Sequence, residues 1–312
     1  MKLSIIHWIF VCTNNYHEKW RFIMKQIFSF NSSHPILKSF IITLLFLLIV
    51  SIGGAISSIA GISSNITLFI AYFILSLTLA ILINRKRNWG YYGFDFTSRK
   101  LSEYFIYIPL FIMAVAPLVV GFSSTLTWID VVYFIFFMAM VAFVEEMIFR
   151  GIILKLLQKK SHWIAILGSS LLFSVPHILN ALNGKEISQT LFQISFALLL
   201  GIILAMLIVK TNRILPLIIY HLINNTLSSI TSTNVDASTN LILNIVVLSI
   251  GLIYMIYLFF SIKKVLSDYV FKWLKKFIII QCNNQHVFIT MFDNPWNWVH
   301  SIPFLYDSSL MI

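Results

Sequence analysis

Long apolar runs recur along most of this chain, and they limit its fold more than any other feature. A helix rises about 1.5 Å per residue, so about 20 apolar residues cross the ~30 Å hydrocarbon core of a bilayer. Backbone polar groups in lipid must be satisfied within the protein, which favours helices for such runs. About eight runs are predicted to be transmembrane helices, at 39–60, 67–83, 101–121, 128–149, 163–180, 191–209, 214–230 and 241–261.

The composition agrees with a membrane location. Hydrophobic residues make up 59% of the 312 residues and charged residues only 11%, whereas soluble domains are about a quarter charged. The sequence therefore predicts an all-α fold, a polytopic membrane helix bundle. Residues 1–35 are predicted to be a cytoplasmic N-terminal segment, and 36–262 the transmembrane domain, with its polar motifs in 131–230.

Positive charge is concentrated in segments that would lie on one side of the membrane. The net charge is +11, and of the 22 lysines and arginines only Lys185 and Arg150 fall outside the predicted cytoplasmic segments. The positive-inside rule then predicts that both termini are cytoplasmic, and it explains the charge without nucleic-acid binding. No cleavable signal peptide is expected. Cys12 and Cys282 lie in the predicted cytoplasmic tails, so no disulfide is expected.

The last part of the chain, 263–312, is predicted to contain a basic amphipathic helix and a tail. Lysines alternate at helical spacing with apolar residues such as Phe271 and Trp273 over 263–280. A helix of this kind lies on an anionic leaflet, so anionic lipid is its expected partner.

Two adjacent glutamates inside an apolar run are the first sign of chemistry. Ionisable residues at membrane depth are costly and mark functional sites by default. Glu146 and Arg150 are i,i+4 neighbours that can pair, whereas Glu145 is rotated by about 100° and can face a different cavity as a general base. Alternatively, both glutamates pair with Arg150 and only hold the bundle together.

Two further motifs lie on later runs. Phe173 and His177 share one helix face, and Pro176 can bend that helix beside the histidine. His221 and Asn225 are also i,i+4 and present two hydrogen-bond donors, which can hold the negative oxygen of a tetrahedral intermediate. Taken singly, these residues could equally be packing or interhelical hydrogen-bonding groups. Together they supply a base, a water-orienting group and an oxyanion pocket, as direct attack of water on an amide requires.

The ordered trio Glu-Glu-x-x-x-Arg, Phe-x-x-x-His and His-x-x-x-Asn resembles the CPBP (CAAX protease and bacteriocin-processing, also called Abi) family of intramembrane proteases. The resemblance covers 131–227, and Gly201 and the turn at 210–215 also look like the family. It implies that Glu145 and His177 activate water and that His221 and Asn225 form the oxyanion site. It also implies supporting roles for Glu146, Arg150 and Phe173.

The function implied is hydrolysis of a membrane-anchored, lipidated or membrane-embedded peptide, in bacteriocin self-immunity or peptide maturation. A bacterial plasma membrane is the expected location. No cofactor is expected, because each role can be filled without a metal. The alternative is a zinc site made by Glu145, His177 and His221.

Two other classes of function would also place polar residues within a membrane bundle. A non-catalytic immunity or scaffold protein would use the same polar core to bind a peptide toxin or a partner protein. A proton-coupled transporter would show inverted repeats and broken helices, and the sequence contains neither.

Overall fold

The computed structural model describes residues 34–283 apart from 87, 88, 96, 98, 99, 183, 185 and 233, with side chains as far as Lys263 except those of 86 and 182. Most of the predicted N-terminal segment 1–35 and all of the tail after 283 lie outside the described residues. So do Cys12 and the side chain of Cys282. All packing contacts discussed below lie in the unit Met1–Lys263.

The described residues are helical apart from short connections, and they contain no β-strand. The predicted all-α membrane bundle is confirmed. The α-helices are α1 (Pro35–Ala60), α2 (Ser64–Lys86), α3 (Ile108–Val115), α4 (Trp128–Glu146), α5 (Leu154–Leu157), α6 (His162–Ser174), α7 (Leu179–Leu182), α8 (Ile187–Thr211), α9 (Leu215–Ile230) and α10 (Ala237–Asn283). A π-helix, Met147–Ile153, joins α4 to α5, and a 3₁₀ turn, Val175–Ile178, joins α6 to α7.

Seven segments within the described residues are long and apolar enough to cross a membrane. They are Pro35–Ala60, Ser64–Arg85, Leu101–Val120, Trp128–Leu157, His162–Ala181, Ile187–Thr211 and Ala237–Lys263. The chain is an integral membrane protein. The eighth predicted span, 214–230, is helix α9, but its 16 residues cover only about 24 Å at ~1.5 Å per residue. The predicted number of eight crossings therefore stays a prediction.

Helix α4 occupies the middle of the bundle, where it packs against α2 and α9, and α6 packs along α8. The first turn of α4 is fixed by a capping box. Thr127 Oγ1 accepts from the Asp130 N–H, and Asp130 Oδ2 accepts from the Thr127 N–H at 2.8 Å. Every residue of the following π-helix is buried. The two glutamates at the junction of α4 and the π-helix are therefore held at the centre of the bundle.

The predicted amphipathic segment 263–280 has a helical backbone, since α10 runs to Asn283 over 47 residues. Its side chains lie beyond those described. Its position on the membrane surface and its contact with anionic lipid stay predictions.

Candidate active site

The glutamate pair lies where α4 changes into a π-helix. The change begins at Met147, directly after Glu146, and Arg150 lies within the π segment. A π-helical turn widens the backbone and is frequent at functional sites. The sequence predicted a regular α-helix over this stretch, and the π-helix Met147–Ile153 corrects that prediction.

Glu146 and Arg150 form a fully buried ion pair. Arg150 Nη1 donates to Glu146 Oε1 at 3.1 Å, and both side chains are 0% exposed. The guanidinium also lies over the ring of Phe173, with 4.1 Å between Cζ and the ring centroid. Since a buried charge is tolerated only when it is paired, the pairing predicted from the i,i+4 spacing is present.

Both glutamates contact the imidazole of His221, one at each ring nitrogen. His221 Nδ1 lies 3.1 Å from Glu146 Oε1, and Nε2 lies 3.7 Å from Glu145 Oε2. A carboxylate can only accept, so Nδ1 donates to Glu146. The two carboxylates therefore lie at opposite ring nitrogens of one imidazole, a contact that the i,i+4 spacing did not predict. Helix α9 packs against α4 and brings its imidazole to both side chains.

Glu145 differs from Glu146 in its exposure and in its partners. Its side chain is 15% exposed, against 0% for Glu146. Its Oε1 accepts a hydrogen bond from the hydroxyl of Tyr72 on α2, at 3.1 Å. Glu145 is thus held by α2 and α9 without taking part in the buried ion pair.

Phe173 is the packing centre of the site. Its ring centroid lies 5.6 Å from that of His177 and 6.0 Å from that of His221, both in edge-to-face geometry. With Arg150 on the ring as well, one aromatic side chain contacts residues from all three motifs. The supporting role implied for Phe173 therefore has a physical basis, since such ring pairs contribute about 0.5–1.5 kcal/mol each.

His177 lies on the 3₁₀ turn that follows α6, one residue after Pro176. The helix ends at Ser174, so the bend expected from the proline takes the form of a change to 3₁₀ geometry. His177 Nδ1 is buried and takes no hydrogen bond within the described residues. It is connected to the glutamates through Phe173, with no direct hydrogen bond to either.

Asn225 lies one turn after His221 on α9. Its Oδ1 accepts from Asn224 Nδ2 at 3.3 Å. With Oδ1 as the acceptor, the Nδ2 of Asn225 is the donor side of this amide. The predicted oxyanion pair is therefore on one helix, but its histidine is also engaged by both carboxylates.

Several buried polar atoms around these residues have no protein partner among the described residues. They are Glu146 Oε2, Arg150 Nε and Nη2, His177 Nδ1, and the hydroxyls of Tyr220 and Thr226. Buried polar groups normally find hydrogen-bond partners. These atoms are therefore able to bind water or polar groups of a substrate.

The alternative zinc ligands Glu145, His177 and His221 are not gathered into one cluster among the described side chains. Among the described side chains, no group of three or more His, Cys, Asp or Glu is placed so that it could hold a metal ion. Glu145 and His221 are in contact, but His177 is turned toward Phe173.

Sequence reasoning missed Tyr72 and Asn224. Asn224 could have been found from its position beside Asn225 in an apolar helix. Tyr72 has no motif around it; its only signal is a hydroxyl inside the predicted span 67–83, five residues from its start.

Residues 127–227 match the family model described as Rce1-like, type II CAAX prenyl endopeptidase. The resemblance drawn from the three motifs over 131–227 is thereby confirmed. The match covers less than half of the chain, and Tyr72 lies outside it. No curated protein and no solved structure matches the chain. The Rce1-like family indicates an intramembrane protease of the CAAX type.

Proposed function

We propose that this chain is an endopeptidase that hydrolyses a peptide bond in a lipidated or membrane-embedded peptide, with water activated by Glu145. The observation that carries the proposal is the difference between the two glutamates. Glu146 is sealed in an ion pair with Arg150, whereas Glu145 is partly exposed and lies next to an imidazole. A carboxylate outside an ion pair and within reach of water is what general-base catalysis needs.

In this mechanism Glu145 takes a proton from water as the oxygen attacks the carbonyl carbon of the scissile amide. His177, on the 3₁₀ turn next to Phe173, orients the water through its ring nitrogens. The tetrahedral oxyanion is held by the amide of Asn225 and by an N–H at Nε2 of His221, the ring nitrogen that does not donate to Glu146. Removing one such donor costs about 10²–10³ in rate. When the C–N bond breaks, Glu145 returns the proton to the leaving amine, which yields a free carboxylate and an amine.

The name of the matched family supports a prenylated substrate, and the predicted cytoplasmic tails support a cytosol-facing, membrane-anchored one. Bacteriocin self-immunity and peptide maturation in a bacterial plasma membrane are the settings we propose. The buried Glu146–Arg150 pair has a structural role, because it fixes His221 between the two carboxylates.

The test uses the protein in liposomes with a fluorogenic peptide that carries a farnesylated cysteine three residues before its C-terminus. Glu145→Gln preserves size and hydrogen bonding but removes the base, so cleavage should fall at least about 10²-fold, within the range typical of general-base catalysis. Glu186→Gln at the start of α8, outside the site, is the matched control and should cleave like wild type. Full activity in Glu145→Gln would overturn the proposal.

A second measurement addresses the metal. Activity that persists after stringent chelation, together with the absence of stoichiometric zinc by elemental analysis, supports hydrolysis by the glutamate alone. Loss of activity that only zinc restores would instead favour the site made by Glu145, His177 and His221.

The non-catalytic alternative is an immunity or scaffold protein that binds a peptide toxin or a partner. The polar core alone would satisfy it, so Glu145→Gln also separates the two functions. If the variant folds, stays in the membrane and still protects cells from a peptide toxin, hydrolysis is not the function. Comparing the membrane peptides of cells that express wild type and Glu145→Gln would then identify the substrate or its absence.

A further inference from the structure

Tyr72 makes the one hydrogen bond to Glu145 found among the described residues. The tyrosine comes from α2, and its hydroxyl donates to Glu145 Oε1 at 3.1 Å. The residue is buried, with 7% of its surface exposed. It lies outside the segment 127–227 that matches the Rce1-like family, so the family match assigns it no role.

The ring of Tyr72 is fixed by aromatic neighbours from two other helices. Phe46 of α1 lies 6.2 Å away and Phe137 of α4 lies 5.8 Å away, both edge-to-face. Phe46 in turn packs on Phe149 of the π-helix at 5.8 Å. The hydroxyl is therefore held in place before any substrate binds, which is the preorganisation that a catalytic carboxylate needs from its surroundings.

The two oxygens of Glu145 have different surroundings. Oε1 is engaged by Tyr72, while Oε2 faces Nε2 of His221 at 3.7 Å and takes no hydrogen bond among the described residues. Fixing one oxygen from α2 stops rotation of the carboxylate about its terminal torsion, which is broad for glutamate. The other oxygen is then directed toward the imidazole and the reacting water.

We infer that Tyr72 is a positioning residue, which holds Glu145 so that Oε2 is presented for proton abstraction. The inference rests on the proposed function for its catalytic consequence. The hydrogen bond itself can be measured without any substrate. In this role Tyr72 acts through its hydrogen bond to Glu145 and is not expected to contact the reacting water or the peptide.

The variant Tyr72→Phe removes only the hydroxyl and keeps the ring between Phe46 and Phe137. Hydrogen bonds to charged groups contribute about 1.5–3 kcal/mol, so kcat on the farnesylated peptide should fall on the order of tenfold to a hundredfold. KM should stay within about twofold, because the tyrosine makes no contact with the substrate. The matched control is Tyr133→Phe, which removes a hydroxyl that also joins α4 to α2, through the carbonyl of Asn65 at 2.8 Å. It should change neither constant.

A spectroscopic measurement keeps the inference separate from the proposed function. At fixed neutral pH, the infrared carboxylate bands of Glu145 are those that disappear in Glu145→Gln. They should shift in Tyr72→Phe, because the carboxylate loses a donor, and should not shift in Tyr133→Phe.

The outcomes are distinct. A band shift together with a lower kcat supports the positioning role. Bands that do not move in Tyr72→Phe, or a kcat equal to that of wild type despite a band shift, would overturn it. If wild type cleaves no peptide but the bands shift, the hydrogen bond stands and the proposed protease function fails together with the role built on it.

Discussion

His221 contacts the side chains of Glu145, Glu146 and Phe173, and Phe173 in turn contacts Arg150. A single residue therefore links the buried ion pair to the proposed base. The i,i+4 spacing predicted the Glu146–Arg150 pair, because that contact lies within one helix. It could not predict that both glutamates meet the same imidazole, because that depends on where another helix crosses.

At this scale the first prediction concerns Arg150. Arg150→Met leaves the carboxylate of Glu146 buried at 0% exposure without its cation, and breaking a buried pair in this way costs about 3–5 kcal/mol. Thermal unfolding in detergent should show a large loss of stability. The double variant Glu146→Met/Arg150→Met removes both charges and should be more stable than Arg150→Met alone. The loss of stability in the double variant could instead equal the sum of the losses in Glu146→Met and Arg150→Met. That result would show that the two charges do not interact.

At the scale of helices, the site depends on how closely α6 and α8 approach. A Cβ added at Gly201 would lie 3.0 Å from Ser170 Cβ and 3.1 Å from its Cα. Small residues of this kind let helices pack closely in membranes. Because α6 carries Phe173 and leads directly to His177, this contact helps to set the position of the second motif. The sequence pointed to Gly201 only by resemblance, since a lone glycine does not reveal which helix it faces.

The second prediction follows from this contact. Gly201→Val forces α6 away from α8, and overpacking of this kind costs about 1–3 kcal/mol. Thermal stability should decrease, and so should cleavage of the farnesylated peptide under the proposed function. The matched control is Gly54→Val on α1, where an added Cβ meets nothing within 4 Å. Equal effects of the two substitutions would mean that the close contact with Ser170 does not matter.

A third prediction concerns the connection before α3, which is joined to the start of α9. Arg213 Nη2 donates to the carbonyl of Thr97 at 2.9 Å and pairs with Asp95 Oδ2 at 3.3 Å, while Nη1 donates to Tyr104 Oη at 2.9 Å. The side chain and backbone of Thr97, and then Arg213, hold the pKa of Asp95 well below its usual range. Asp95 therefore helps to stabilise the attachment of α9 in its ionised form.

Because the folded pKa of Asp95 is lowered, its contribution is complete above the unfolded value of about 3.9 and is lost as the pH falls through the folded value. The difference in melting temperature between wild type and Asp95→Asn should be constant from about pH 8 to pH 5 and should shrink below about pH 4. Thr97→Val, which removes the hydroxyl donor, should move this loss to higher pH. A difference that stays constant down to pH 3 would contradict the assignment. The measurement is thermal unfolding in detergent across the pH series.

For the whole molecule, composition and apolar runs were enough to predict an all-α membrane bundle, because the bilayer permits few alternatives. They were not enough to decide whether α9 crosses the membrane. Its 16 residues are short for a span and include His221, Asn224 and Asn225. Polar residues in a helix lower its apparent hydrophobicity even when they face the protein interior. The hydrogen bonds at the two ends of α9 instead indicate where the helix lies relative to the membrane.

Both ends of α9 bond to the connections that flank the candidate span Leu101–Val120. At its start, Ile214 N donates to the carbonyl of Gly93 at 3.0 Å. At its end, Ser123 N donates to the carbonyl of Ile230 at 2.9 Å. Gly93 comes before that span and Ser123 after it. A helix that reaches both ends of a membrane span traverses the same depth, so we expect α9 to cross and the crossings to number eight.

The fourth prediction tests this through the position of the two natural cysteines. With eight crossings, Cys12 and Cys282 lie on the same side, which the positive-inside rule makes the cytoplasm. In variants that keep one cysteine each, a membrane-impermeant maleimide should label either residue only after the cells are permeabilised. Lys185→Cys in a cysteine-free background is the opposite control and should react in intact cells. If α9 does not cross, one tail moves to the outer side. Labelling of Cys12 and Cys282 from opposite sides would then reduce the number of crossings to seven and remove the membrane-spanning role of the helix that carries His221.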